Sequence, residues 1–243
     1  MVTIGQAPRD DLWPDVRPLL TGVDVVEHGA LDPLGDRPSA DALAALRPDP
    51  DEAPLTSRLR GGGAVVMGHR ALNELLANAV RKSEEDGATA TLLLCTGHFG
   101  DLPAVRPLLG AEPLVQRGVQ ALAGTEPVGI ICPLPEQADD VRERWQRILP
   151  GSVASAPASP YTYADDVLAS AASTLAAAGS ALLVLDCIGY TERMRTVAAE
   201  ASGLPVLLAR TLAVRLAVER VTAGNCTGLG LSGHVPCPNC ASY

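Results

Sequence analysis

The feature that most constrains this chain is an alternation of short, unbroken apolar runs with longer stretches of helical periodicity. Residues 90–94, 128–132, 181–185 and 206–208 are such runs. Each is too short for a stable helix and has no polar face, which suits a strand buried on both sides of a parallel sheet. Between them, residues 71–82 place Leu72, Leu75, Leu76 and Val80 on one helical stripe, and 114–123, 138–149, 164–178, 192–201 and 212–221 also read as helices. The alternation implies βαβ units with right-handed crossovers. Upstream, the expected elements are a strand over 1–5, a helix over 10–20 and a strand over 23–27. A short capped helix over 39–46 and a hairpin of 55–59 with 64–67 around Gly61, Gly62 and Gly63 follow, and 152–156 is a weak strand.

Two of the buried runs end alike. Leu93–Leu94–Cys95–Thr96–Gly97–His98 and Leu185–Asp186–Cys187–Ile188–Gly189–Tyr190 are each a strand, a Cys-x-Gly and a ring-bearing polar side chain. In open α/β sheets ligands sit beyond the carboxyl ends of strands, where both cysteines fall. Two similar lobes would bring the two thiols to one cleft. Inversion at an acidic carbon needs such a pair, one group removing a proton from one face while the other delivers a proton to the opposite face. A thiol's reference pKa of about 8.5 is lowered by a helix N-terminus or a cation, so backbone N–H groups at a strand-to-helix turn are expected to favour the thiolate and to hold a carboxylate. Gly97 and Gly189 permit close backbone approach. A lone cysteine at a strand end is ordinarily a small buried hydrophobe; the matched contexts set this pair apart. Cys132, followed by Pro133, has no counterpart and reads as core.

Composition bounds the alternatives. The 243 residues are 47% hydrophobic and 19% charged, with one Phe and two Trp, so the core is aliphatic. A formal charge of −9 argues against non-specific nucleic-acid binding. No apolar run approaches the ~18 residues of a membrane span. The first residues lack the charged and apolar regions of a secretion signal, and six cysteines then read as thiols or ligands rather than a disulfide framework. The expected location is cytoplasmic. The first strand begins almost at Met1, which leaves open a start further upstream.

Several blocks, in one order, resemble the AroM family: Thr3–Ile4–Gly5–Gln6–Ala7–Pro8–Arg9, His28–Gly29–Ala30–Leu31–Asp32, Leu55–Thr56–Ser57–Arg58–Leu59, Leu93–Leu94–Cys95–Thr96–Gly97, Pro133–Leu134–Pro135–Glu136–Gln137, Ala158–Ser159–Pro160–Tyr161 and Leu185–Asp186–Cys187–Ile188–Gly189–Tyr190–Thr191. The resemblance runs from residue 2 to about residue 222. That family is similar to the aspartate/glutamate racemase superfamily, which includes amino-acid and hydantoin racemases, maleate isomerase and arylmalonate decarboxylase. The resemblance implies two pseudo-symmetric, Rossmann-like or flavodoxin-like α/β lobes with mostly parallel sheets and a cleft between them. It also implies cofactor-independent chemistry on a small carboxylate-bearing substrate. The expected division is 1–98 plus 188–222 for the first lobe, 99–187 for the second, and 223–243 as a Cys/Gly/Pro-containing tail. Glutamate racemases usually carry Asp-Ser after the first strand and Cys-Asn-Thr at the first cysteine. Gly5–Gln6 and Cys95–Thr96–Gly97 stand here instead, which speaks against glutamate.

Around the thiols, Gln6, Thr96 and Thr191 are candidate donors to a substrate carboxylate, the alternative for the threonines being turn and N-cap chemistry. Arg9 and Arg58 are candidate bidentate carboxylate clamps. His98 is a candidate auxiliary acid/base, Ser159 and Tyr161 are expected to line the cleft, and Asp186 has its side chain turned away from that of Cys187 by the pleat. In the tail, Cys226, His234, Cys237 and Cys240 include a Cys-Pro-Asn-Cys element with metal-ligand spacing, set against a flexible thiol-bearing tail. Three readings of function stay open: a racemase or epimerase of a small amino-acid-like acid, a decarboxylase or cis–trans isomerase using one thiol, and a non-catalytic small-molecule binder or regulator. A homodimer is one expectation for its assembly.

Overall fold

In the computed structural model, which describes residues 1–162 and 164–223, the buried runs become parallel strands. The first half comprises β1 (Val2–Thr3), α1 (Trp13–Val16), β2 (His28–Gly29), α2 (Ala40–Ala44), β3 (Leu55–Arg58), β4 (Ala64–Met67), α3 (His69–Glu85), β5 (Thr91–Leu93) and β6 (Leu108–Gly110). The second comprises α4 (Ala111–Ala123), β7 (Val128–Cys132), α5 (Ala138–Gln146), β8 (Val153–Pro157), α6 (Asp165–Ala177), β9 (Leu182–Leu185), α7 (Glu192–Ser202), β10 (Val206–Leu208) and α8 (Ala209–Thr222).

The strand orders are β2-β1-β5-β6 and β8-β7-β9-β10, with every pairing inside these sheets parallel. Each sheet therefore runs second, first, third, fourth, and the two halves are pseudo-symmetric. Cys95 and Cys187 follow β5 and β9, the third strand of each. β3 and β4 form a separate antiparallel hairpin.

A central apolar cluster joins the halves. Leu92 and Leu94 meet Val128, Ile130 and Val184 through Val115 and Val119 of α4 and Ala213, Val214 and Ala217 of α8. α4 lies against α8 because Gly118 leaves space: a Cβ there would stand 3.2 Å from Leu212 Cδ2. The outer faces are covered separately, by α3 and the hairpin on the first sheet and by α6 and α7 on the second. Covering both faces of a sheet is what makes its strands uniformly apolar.

The structure departs from the expected elements at four places. The helix over 10–20 shrinks to α1 and a 3-10 turn at Arg17–Leu19, because Pro18 cannot supply the N–H that a continuing α-helix needs. Residues 23–27 form no strand; pairing with β1 begins one residue later, at His28, whose N–H donates to Met1 O. β6 has no counterpart among the expected elements: three residues bounded by Pro107 and a helix leave no periodic signal. Sheet membership also crosses the expected lobe boundaries. β6, inside 99–187, pairs with the first sheet, and β10, inside 188–222, pairs with the second. Each is the strand that extends its own sheet beyond a cysteine-bearing one. Among the described residues no helix is long and apolar enough to cross a membrane.

Candidate active site

The carboxyl ends of β5 and β9 open on one cavity of about 660 Å³, lined by Cys95, Thr96, Gly97 and His98 from one loop and by Asp186 and Cys187 from the other. Leu55 and Thr56 of β3, His69 of α3 and Arg144 of α5 also line it. Both cysteines are free thiols, 7% exposed, and both reach this cavity.

The Cys-x-Gly echo has a physical content. Gly97 N–H donates to Cys95 Sγ at 3.3 Å and Gly189 N–H to Cys187 Sγ at 3.4 Å. Each loop folds back so that the glycine amide solvates the sulfur. A Cβ on Gly97 would stand 2.6 Å from Leu55 Cδ2, the mobile end of a leucine, whereas one on Gly189 would stand 2.8 Å from both Pro160 Cγ and Tyr161 Cζ, so the Gly189 turn is the more closely confined. The expected lowering of the thiol pKa is overturned. Burial pushes Cys95 up to about 12, against the Gly97 amide, and also raises Cys187, against the Gly189 amide and the Tyr161 hydroxyl. Desolvation of the charged form outweighs one or two hydrogen bonds to it. The strand-to-helix turn is present only after Cys187, where α7 begins at Glu192; residues 98–107 are irregular.

A polar bridge joins the two cysteine loops. Thr96 Oγ1 donates to Asp186 O at 3.1 Å. Arg144 donates to Thr96 O at 2.8 Å and to Glu112 Oε1 at 3.0 Å, and lies 3.5 Å from Asp186 Oδ2. Trp145 Nε1 donates to that same Asp186 oxygen at 2.7 Å. Burial raises the Asp186 pKa, against the pull of Arg144. Sequence reasoning missed Arg144, Glu112 and His69. A signal existed for Arg144: it lies three residues after Val141 and immediately before Trp145, within the buried stripe of α5. A cation placed there needs buried partners.

The remaining expected residues fall into separate places. His98 is at the mouth, 72% exposed, with Nδ1 2.9 Å from Glu112 Oε2. Tyr161 Oη lies 3.7 Å from Cys187 Sγ, and Ser159 Oγ accepts the N–H groups of Tyr161 and Thr162, fixing that turn. Tyr190 is fully buried and donates to Ala158 O at 2.6 Å, tying the Cys187 loop to the segment after β8. Thr191 caps α7, its Oγ1 accepting Met194 N–H. Gln6, Arg9 and Arg58 line a smaller cavity of about 220 Å³. There the Gln6 amide spans Leu31 O, Gly35 O and the Arg60 N–H. The bidentate partner of Arg9 is Asp11, at 2.8 Å on both arms, and Arg58 is exposed. Cys132 is core, as expected. Among the described residues no group of three or more His, Cys, Asp or Glu is arranged to hold a metal. Cys226, His234, Cys237 and Cys240 lie outside the described residues.

The chain is similar in fold to glutamate racemase from Francisella tularensis subsp. tularensis SCHU S4 in complex with D-glutamate (11% identity, TM-score 0.59, 92% of this chain and 81% of that one). It is similar likewise to allantoin racemase from Klebsiella pneumoniae (15%, 0.57, 92% and 88%). A third is a cysteine-to-serine mutant of Nocardia farcinica maleate cis–trans isomerase, with a covalently bound succinylcysteine intermediate (13%, 0.56, 91% and 91%). The fold is that of the aspartate/glutamate racemase superfamily. No curated protein sequence matches the chain significantly. The family model described as AroM protein matches residues 1–221, and the chain belongs to the AroM family.

Proposed function

We propose that this protein is a cofactor-independent racemase or epimerase of a small amino-acid-like carboxylate, with Cys95 and Cys187 as the two proton-transfer groups. One observation carries the reading: two free thiols on equivalent strands of two pseudo-symmetric sheets border the same cavity, each solvated by a glycine amide two residues on. A thiolate on one side and a thiol on the other supply the base and the acid that inversion needs. Burial serves this chemistry, because a desolvated thiolate is a stronger base than one in water. His98, held by Glu112 at the open mouth, is suited to exchanging protons between the cavity and solvent.

The unequal surroundings of the sulfurs also favour a second reading, decarboxylation or cis–trans isomerisation by one thiol. Its precedent in the fold is the succinylcysteine of the maleate isomerase.

The test is incubation of the full chain in D₂O with a panel of amino, hydroxy and dicarboxylic acids, read by proton NMR and chiral chromatography. Deuterium entering at the chiral carbon, with loss of optical purity and no CO₂, is the expected result. Cys95→Ser and Cys187→Ser should each reduce inversion by roughly 10²–10⁴-fold. Full inversion in either variant would exclude the two-thiol scheme, CO₂ release or alkene isomerisation would favour the second reading, and ligand binding without turnover would make the protein a binder.

A further inference from the structure

The two sulfurs differ in what else surrounds them. Among the described residues Cys95 Sγ accepts a bond only from its glycine amide, whereas Cys187 Sγ also lies 3.7 Å from Tyr161 Oη. The missing side chain at residue 189 makes that approach possible: a Cβ there would stand 2.9 Å from the same hydroxyl oxygen. Ser159 fixes the turn that presents the ring. Arg9 is 2% exposed and is close enough for its charge to act on both Tyr161 and Cys187.

We propose that Tyr161 is a catalytic hydrogen-bond donor that stabilises the thiolate of Cys187, so that Cys187 is the more readily ionised of the two thiols and serves as the base while Cys95 serves as the acid. The assignment of acid and base rests on the two-thiol reading above; the inequality of the thiols does not. The charged and titratable groups facing Cys187 sort consistently. From the loop after β1 comes Arg9, already neutralised in part by Asp11. From α8 comes Arg210, paired with Asp15 of α1 and donating to Gly189 O at 2.9 Å. Both cations favour the thiolate. Opposing it is Asp186, whose carboxylate is engaged by Trp145 and Arg144. The thiols of Cys132 and Cys95, pushed up to about 12 by burial, are neutral at physiological pH and do not repel it. Tyr190 keeps its proton, committed to Ala158 O. Burial holds the Tyr161 phenol well above its ordinary range, so it donates rather than ionises.

The resulting step balances. Cys187 S⁻ takes the proton from the substrate carbon, and the C–H electron pair stays on carbon. The Cys95 S–H gives its proton to the opposite face and a new C–H bond forms. The protein is left with a thiol at Cys187 and a thiolate at Cys95, and exchange with solvent through the open cavity restores the starting pair.

The test uses no substrate, so its failure leaves the isomerase reading standing and failure of that reading leaves this one standing. Iodoacetamide is added to the full chain from about pH 6 to about pH 10, and alkylation at each cysteine is followed by peptide mass analysis. Cys187 is expected to react severalfold faster than Cys95 at neutral pH, because the thiolate is the form that is alkylated and Tyr161 stabilises it at Cys187. Tyr161→Phe should remove most of that advantage while leaving Cys95 unchanged. Equal rates, the reverse order, or an unchanged ratio in Tyr161→Phe would overturn the proposal. Carbon-13 NMR titration of the cysteine Cβ signals in the unmodified protein gives a reading independent of how the variant folds. A midpoint for Cys187 at or above that of Cys95 would equally overturn it.

Discussion

The loops after β5 and β9 occupy the same place in the same topology and are finished differently. After Cys187 the chain passes Gly189, whose carbonyl is held by Arg210, then Tyr190, whose hydroxyl is buried, then Thr191, which caps α7. After Cys95 it reaches His98, exposed and paired with Glu112, and then an irregular, mostly exposed segment to residue 107. One half of the cavity is anchored by its own secondary structure; the other is open to solvent. A duplicated architecture can thus give two thiols unequal environments without changing the Cys-x-Gly that carries them.

The bridge between the loops is where this contrast is easiest to break. Arg144→Met leaves Asp186 and Glu112 as buried carboxylates without their shared cation. Removing one partner of a buried ionic cluster costs roughly 3–5 kcal/mol, so a large drop in the urea midpoint is expected. Its pH dependence has a definite sign. The folded-state pKa of Asp186 is already raised above its ordinary value and rises further without Arg144. The part of the deficit carried by Asp186 is therefore absent below the ordinary carboxyl range and grows as pH rises through the folded pKa. A deficit constant from acid to neutral pH would show that Asp186 does not carry it.

The glycines sharpen the comparison. In Gly189→Ala the new methyl meets Pro160 Cγ and Tyr161 Cζ, both at 2.8 Å, so two rings must shift together; a loss of about 1–3 kcal/mol is expected. In Gly97→Ala it meets the end of a leucine side chain, and the loss should stay below about 1 kcal/mol. Equal losses in thermal or urea unfolding would show that the two turns are equally confined.

The smallest contrast compares the ring-bearing residues that echo each other. Tyr190→Phe removes a buried hydrogen bond to Ala158 O and should cost about 1 kcal/mol. His98→Ala, at an exposed position, should change stability by no more than about 0.5 kcal/mol. Calorimetry of both variants measures the difference, and a larger effect at His98 would contradict the open and anchored halves described above.

The uniform burial of β7 and β9 left a direct trace in the sequence, because a strand covered on both faces has no polar positions. Residues 128–132 are legible to the residue, and 181–185 to within one. β6 and the unpaired stretch over 23–27 were not, since two- and three-residue strands are defined by what they pair with rather than by periodicity. At the site, the matched Cys-x-Gly turns predicted a shared cavity because equivalent strand ends of a repeated fold converge. The placement of Gln6, Arg9 and Arg58 beside a different, smaller cavity left no such trace.

The sequence by itself determined the strand–helix alternation, the two halves and the cysteine pair, because burial pattern and repetition are written locally. Only the tertiary structure decided that desolvation raises both thiols, that Arg144 and Asp186 join their loops, and that Tyr161 attends one sulfur and not the other. Those properties depend on distances between residues far apart in the chain and on how much water remains between them, and neither is encoded in the spacing of residue types.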